Sequence, residues 1–285
     1  MRLALLTTLA MIAFAANSLL NRAAIAGGEI DSISFVWVRL LAGAAMLSVL
    51  SLLLRGRLHL GGEGRWMGVT TLLVYIFGFS AAYDALDAGL GALILFGVVQ
   101  ITMFAGGLLA GEITPPRRWI GAGLAFAGLA WMLWPGAGPR VSVAHGSMMA
   151  AAGLGWGLYS LAGQRSEDAL QATTANFIIA APIGLAAGLM FGLTTGSSVV
   201  ISGPGVMLAA LSGAVTSGLG YALWYSVLPR LAGSVAAVAQ LTVPVIAVLG
   251  GVIFLDEAVT LQVALAAGLV LGGVGISVLQ PRRIS

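Results

Sequence analysis

Within its apolar stretches the sequence carries rings, amides and one guanidinium. Tyr75, Phe79 and Tyr83 recur at i, i+4 and i+8, the spacing of one helix face. Ser217, Tyr221 and Tyr225 repeat that spacing further along the chain. Trp156 and Tyr159 stand at i and i+3, and Phe14, Asn17 and Asn21 at i, i+3 and i+7. Gln100 and Gln240 add two amides. Aromatic walls with a few convergent polar groups make up a small-molecule pocket. Such walls suit a ligand with an apolar body and polar ends. An amino acid fits: Asn17, Gln100, Gln240 and tyrosine hydroxyls offer donors to its carboxylate, and a ring face can receive its ammonium. A flat organic cation fits the same walls. The candidate binding residues are Phe14, Asn17, Phe79, Tyr83, Gln100, Trp156, Tyr159, Tyr221 and Gln240. Each has a plainer reading beside it. Tyr and Trp also mark the membrane–water interface, above all Tyr83 and Tyr225 near helix ends. Intramembrane amides also join helices, for about 0.6 kcal/mol each.

Bond-making chemistry has less to work with. There is no cysteine, which removes disulfides, thiolate metal sites and thiol nucleophiles. The two histidines, His59 and His145, sit in polar or Gly/Pro-rich loop sequence. The close acidic pairs Glu29/Asp31, Asp84/Asp87, Glu167/Asp168 and Asp256/Glu257 make no metal motif. No catalytic residue, metal or cofactor is expected. A membrane-embedded enzyme such as a lipid transferase would want clustered acids or histidines. A channel would want charged rings or a filter motif. Neither pattern is evident.

The elements that must position these groups are membrane helices. Of 285 residues, 59% are hydrophobic and 8% charged, with a mean hydropathy of +1.03. A soluble domain carries about 25% charged residues, so a water-covered surface is excluded, and no basic domain exists to bind nucleic acid. A bilayer crossing needs about 20 mostly apolar residues. Ten stretches qualify, at 3–21, 33–54, 66–84, 88–110, 118–134, 143–163, 171–192, 204–226, 232–254 and 260–280. Arg2, the first apolar run and Ala13-Phe14-Ala15 also fit a leader peptide; the expectation is that the segment stays as a helix. Pro204 suits the first turn of the eighth helix. Pro182 and Pro244 interrupt the seventh and ninth.

All 13 basic residues are arginine. With the N-terminus in the cytoplasm, Arg2, Arg55, Arg57, Arg65, Arg117, Arg118, Arg165, Arg230, Arg282 and Arg283 fall inside, against Arg22 and Arg140 outside. Both termini are thus expected to be cytoplasmic. Arg39 alone lies well within a stretch. It either lines the pathway and attracts carboxylates, or snorkels or bonds backbone carbonyls to fix its helix; the structural reading is the one taken. Glu112 and Glu257 fall at turns leading into the fifth and tenth helices, where a carboxylate suits a helix N-terminus.

The two halves match. A shift of 142 residues pairs Phe14 with Trp156, Ser18 with Ser160, Phe35 with Phe177, Phe79 with Tyr221 and Tyr83 with Tyr225. Near the ends the shift becomes 145, pairing Glu112 with Glu257 and Gly128 with Gly273. Five helices per copy is an odd number, so the second copy enters from the opposite side. The expected fold is an all-α membrane protein of ten helices in two inverted five-helix repeats, 1–137 and 138–285, around a central cavity.

Taken together, these marks resemble the drug/metabolite transporter superfamily in its EamA-type branch. The likeness rests on Phe14-Ala15-Ala16-Asn17-Ser18, on Trp156-Gly157-Leu158-Tyr159-Ser160, on Phe35 to Gly43, and on Gly111-Glu112 and Asp256-Glu257, each followed by a Gly-rich helix. It implies a bacterial inner-membrane exporter of small metabolites, working by alternating access. Within the family the chain looks most like exporters of aromatic and other amino acids, with multidrug, organic-cation or nucleoside export as the alternative. The partners expected are a small-molecule substrate and the lipid bilayer, with no obligatory protein partner and no nucleic acid. Every acidic residue falls at a loop or helix end, so no buried proton-relay carboxylate is expected.

Overall fold

In the computed structural model, residues 2–109, 116–133, 142–164, 166–195, 198–231, 239–240 and 242–278 are described. The chain is nearly all helix. Its helices are α1 (Arg2–Ala26), α2 (Ser32–Arg55), α3 (Arg65–Ala82), α4 (Ala88–Leu109), α5 (Pro116–Leu133), α6 (Val143–Gln164), α7 (Ala169–Thr195), α8 (Gly203–Val227), α9 (Thr242–Leu255) and α10 (Leu261–Val278). Among the described residues, α1, α2, α3, α4, α7 and α8 are each long and apolar enough to cross a bilayer. Glu112, the expected domain boundary near 137 and the start of the expected ninth span, at 232–238, lie outside the described residues.

Local chemistry sets the ends. Asp31 caps α2 by accepting from the Ile33 and Ser34 amides, and left-handed Gly56 closes it by donating to the Leu52 carbonyl. Ser202 caps α8 with Pro204 in its first turn, as the sequence suggested. Pro182 does stand inside α7. Pro244 lies near the start of the described part of α9; the stretch before it, where a longer helix would be interrupted, lies partly outside the described residues.

The exposed face is apolar, as lipid demands, and most of the buried interior is apolar too, with polar side chains gathered within it rather than on the outer face. Leu53, Trp66, Leu109, Phe126 and Phe254 face outward and exposed. Asn17, Asn21, Arg39, Ser80, Asn176, Ser212, Thr216 and Ser217 are buried. Helix α3 packs on α6, and α8 on α1; α4 packs on α6, and α9 on α1. Helix α2 lies on α8, and α7 on α3, while α2 meets α7 and α5 meets α10. Each of these contacts has a partner five helices along, or is its own partner.

Loops gather at two ends. At one, Arg55 Nε meets Asp168 Oδ2 at 2.6 Å, and Arg65 donates to the Ala172 carbonyl and Asn176 Oδ1, each at 2.8 Å. Partial burial pushes the Asp168 carboxyl up, but Arg55 and the capped amides of α7 outweigh it and hold it below the usual range. At the other end Ile30 and Ile201 form a short antiparallel bridge, with Asp31 N donating to the Val200 carbonyl at 2.9 Å.

Two close approaches bring the future site together. A Cβ on Gly213 of α8 would strike the Arg39 carbonyl oxygen, and one on Gly155 of α6 would lie 2.9 Å from the Tyr75 nitrogen. Between Ser212 and Leu219, α8 also widens into a π-helix, a form that concentrates at functional sites. Gly213→Val should therefore cost about 1–3 kcal/mol, seen as a lower unfolding temperature of the detergent-purified protein. Gly192→Ala, where a Cβ meets nothing within 4 Å, should cost nothing.

Candidate functional site

Six helices bring rings to one place. Phe14 comes from α1, Tyr75 and Phe79 from α3, Phe96 from α4, Trp156 from α6 and Tyr221 from α8; with Asn17, Ser18 and Leu95 they line a cavity. Phe177 of α7 lies just behind, edge-on to Tyr221 at 6.0 Å between ring centroids. The centroids of Trp156 and Tyr75 are 4.9 Å apart, of Trp156 and Tyr221 4.8 Å, and of Tyr75 and Phe79 5.3 Å. Phe14 stands edge-on to Trp156, Tyr221 and Trp224 at about 6 Å. The rings close so far that the space between them is about the size of one water molecule. Admitting a larger molecule requires helices to part.

Behind the rings lies a polar network. Asn17 Oδ1 accepts from Ser212 Oγ at 2.6 Å and Thr216 Oγ1 at 3.0 Å, which turns its amide nitrogen toward the Tyr75 hydroxyl at 3.2 Å. Both hydroxyls come from the π-helical stretch of α8. Asn21 accepts from Ser80 at 2.8 Å and donates to the Asn17 carbonyl at 2.9 Å.

Arg39 sits at the centre of this network and is 0% exposed. It donates from Nη2 to the Tyr75 hydroxyl at 3.0 Å and the Tyr221 hydroxyl at 3.4 Å, and from Nε to Ser217 Oγ at 3.1 Å. Its guanidinium carbon lies 5.2 Å from the ring centroids of both Tyr75 and Phe79. Arg39 thus neither snorkels nor bonds backbone carbonyls; it anchors two rings of the cavity wall.

Of the residues singled out in the sequence, Phe14, Asn17, Phe79, Trp156 and Tyr221 meet at the cavity. Tyr159 stacks on Trp156 at 5.6 Å but lies one layer away, its hydroxyl donating to Thr173 at 3.1 Å. Tyr83 is fully buried at the α3–α4 turn, edge-on to Phe79 at 4.8 Å, with its hydroxyl on the Ala88 carbonyl at 3.3 Å. Gln100 and Gln240 are only half-buried and do not line the cavity. Tyr75 shares the stripe of Phe79 in the sequence but is not among the candidate binding residues named there. Sequence reading also missed Ser212 and Thr216, whose inward placement depends on the π-helix.

The end of the bundle beyond Tyr83 is held by charge. Arg22 reaches Asp87 at 3.3 Å, Glu257 at 3.4 Å and the Tyr83 carbonyl at 3.2 Å. Both Glu257 oxygens accept from the Ala88 amide, at 2.8 and 2.9 Å. Glu257 does serve a helix N-terminus, but that of α4 rather than of the helix that follows it. The chain turns back at Asp256, in the left-handed region at φ 52°, and so carries Glu257 toward α4.

The EamA-like transporter family matches over residues 146–279. The chain is 44% identical to the uncharacterized protein PA1977 of Pseudomonas aeruginosa, over 99% of this chain and 96% of that one. A solved structure described only as a crystal structure of protein superposes with a TM-score of 0.67 at 20% identity, covering 96% of this chain and 98% of the other; it speaks for the fold. The chain thus carries an EamA-family domain, of the drug/metabolite transporter superfamily. It is a multi-pass membrane protein of a family that moves small molecules.

Burial lifts the Glu257 carboxyl above the usual carboxylate range; the Ala88 amide opposes the rise, Asp87 adds to it, and Arg22 lowers it. A carboxyl raised on folding favours the fold when protonated, and that contribution is lost as pH rises through its folded-state value. Glu257→Gln should therefore gain thermal stability over wild type as pH rises from about 4 to 7, measured by unfolding in detergent. A difference between the two proteins that stays constant with pH would contradict the assignment.

Proposed function

We propose that this protein exports small metabolites from the cytoplasm across the bacterial inner membrane, with amino acids bearing aromatic side chains as the preferred substrates. The observation that carries this reading is the cavity itself. Its walls are Phe14, Phe79, Phe96, Trp156 and the rings of Tyr75 and Tyr221, and its polar groups are Asn17, Ser18 and two phenol hydroxyls. That combination suits an apolar body with a polar end. Phe14, Asn17, Phe79, Trp156 and Tyr221 form the proposed contact layer. Tyr83 and Tyr159 back it.

The proposed architecture is two inverted repeats, residues 1–137 and 138–285, with both termini in the cytoplasm. The paired helix contacts support it, since exchanging the halves leaves the main pairings unchanged. The loops support it too. Those after α2 and α6 meet at one end, those after α1 and α7 at the other, as alternate crossings require. The arginine excess at the first of these ends favours the cytoplasmic side for it. No acidic residue lines the cavity, so the proposed driving force is the substrate's own gradient rather than a proton relay within the site.

Proteoliposomes loaded with a panel of amino acids, nucleosides, sugar phosphates and organic cations provide the test. L-tryptophan and L-phenylalanine should exchange, at rates little changed by a pH gradient. Trp156→Ala and Asn17→Ala should lower the rate about tenfold, the loss of about 1.4 kcal/mol of binding, in protein that still elutes as a single folded species. Exchange of nucleosides or organic cations alone would move the substrate to the alternative class, and strong stimulation by the pH gradient would reject the uncoupled mechanism.

A further inference from the structure

The network around Arg39 has more hydrogens to give than acceptors to take them. The guanidinium has five N–H groups and no acceptor. Ser217 takes one, and the hydroxyls of Tyr75 and Tyr221 take those on Nη2. Nη1 is buried, with no partner among the described residues. The Tyr75 oxygen also accepts from Asn17, and the two phenol hydroxyls lie 3.4 Å apart; whichever of them donates to the other, one phenol proton has no acceptor in the cluster. Every partner of Arg39 is a neutral hydroxyl. The ion pairs among the described residues involve Arg22, Arg55 and His145 at the ends of the bundle, never Arg39. A buried cation without a counter-ion is costly, and buried donors without acceptors add to that cost.

We infer that the Arg39–Tyr75–Tyr221 cluster is an anion receptor and that the transported ligand must carry a carboxylate or an equivalent acid group. This rests on the proposed transport through the ring-lined cavity and specifies its charge class. Tyr75 and Tyr221 stand in the wall between Arg39 and the cavity. A carboxylate entering among the rings accepts the free phenol proton directly. As the rings part to admit it, the unused Nη1 edge of Arg39 comes within reach of its second oxygen. Charge-assisted bonds of this kind are about twice as strong as neutral ones. The same cation repels a ligand whose only charge is positive, so organic cations are excluded although the rings alone would welcome them. The site thereby chooses between the two ligand types that its aromatic walls leave open.

Three indole compounds of similar size separate charge from shape: indole-3-propionate, L-tryptophan and tryptamine. Each is added to the purified full chain in thermal unfolding and offered as a permeant to proteoliposomes. Indole-3-propionate and L-tryptophan should raise the unfolding temperature and be carried, and tryptamine should do neither. Arg39→Gln should weaken indole-3-propionate about tenfold or more. Arg39→Lys should restore part of that loss. Should Arg39→Gln fail to fold, Tyr221→Phe keeps the ring, removes the bridging hydroxyl, and should weaken both carboxylates relative to any neutral ligand. Tryptamine acting as strongly as the carboxylates on wild type, or indole-3-propionate binding Arg39→Gln as it binds wild type, would overturn the receptor and leave the transport reading standing. Pyruvate or lactate shifting wild type while the indoles do not would keep the receptor and remove the aromatic preference. No shift by any carboxylate would remove the receptor.

Discussion

A guanidinium within a bilayer survives only where protein replaces the water it has lost. Here the replacement is two phenol hydroxyls, a serine hydroxyl and the faces of two rings, all gathered on Arg39. Much of the central architecture follows from that requirement. Helix α8 must lie against α2 closely enough for Ser217 and Tyr221 to reach the charge, and Gly213 permits it. Helix α3 must present Tyr75, and Gly155 lets α6 press against it there, carrying Trp156 onto the same ring. The π-helical turns of α8 then bring Ser212 and Thr216 to Asn17, which fixes the amide that donates to Tyr75. One buried charge thus couples α2, α3 and α8 directly, and α1 and α6 through Tyr75.

That coupling spans the two halves of the chain. Arg39 and Tyr75 belong to the first, and Ser217 and Tyr221 to the second. The ends beyond the cavity are also fastened across the halves. Arg22 and the Ala88 amide meet Glu257 at one end, and Arg55 meets Asp168 at the other. The Arg55–Asp168 tie is the more exposed of the two, and exposed ion pairs contribute about 0–1 kcal/mol, whereas Arg22 and Glu257 are largely buried. Under the proposed alternating access, these cross-half ties are the contacts that would release in turn.

Much of this was legible in the sequence, and the illegible part has a physical cause. Helical period shows which residues share one face, so Phe79 with Tyr83, Trp156 with Tyr159 and Phe14 with Asn17 were readable as stripes. Period does not show which faces meet. The partners of Arg39 therefore stayed hidden, and Gln100 and Gln240 were grouped with a cavity that the structure does not bring them to line. The π-helix of α8 leaves no mark in a hydropathy pattern, so Ser212 and Thr216 were passed over. Glu257 was readable as a helix-terminal carboxylate, yet the helix it serves comes from the other half of the chain.

The proposed mechanism is a single chamber that faces each compartment in turn, and the absence of cysteine from the sequence lets this be measured directly. Ser18 lines the cavity and is buried, and Ser18→Cys changes little in size. In oriented membrane vesicles, a membrane-impermeant maleimide should label that cysteine from either side, and L-tryptophan should slow labelling from both. Labelling from one side only, or labelling from both sides that tryptophan leaves untouched, would contradict the account.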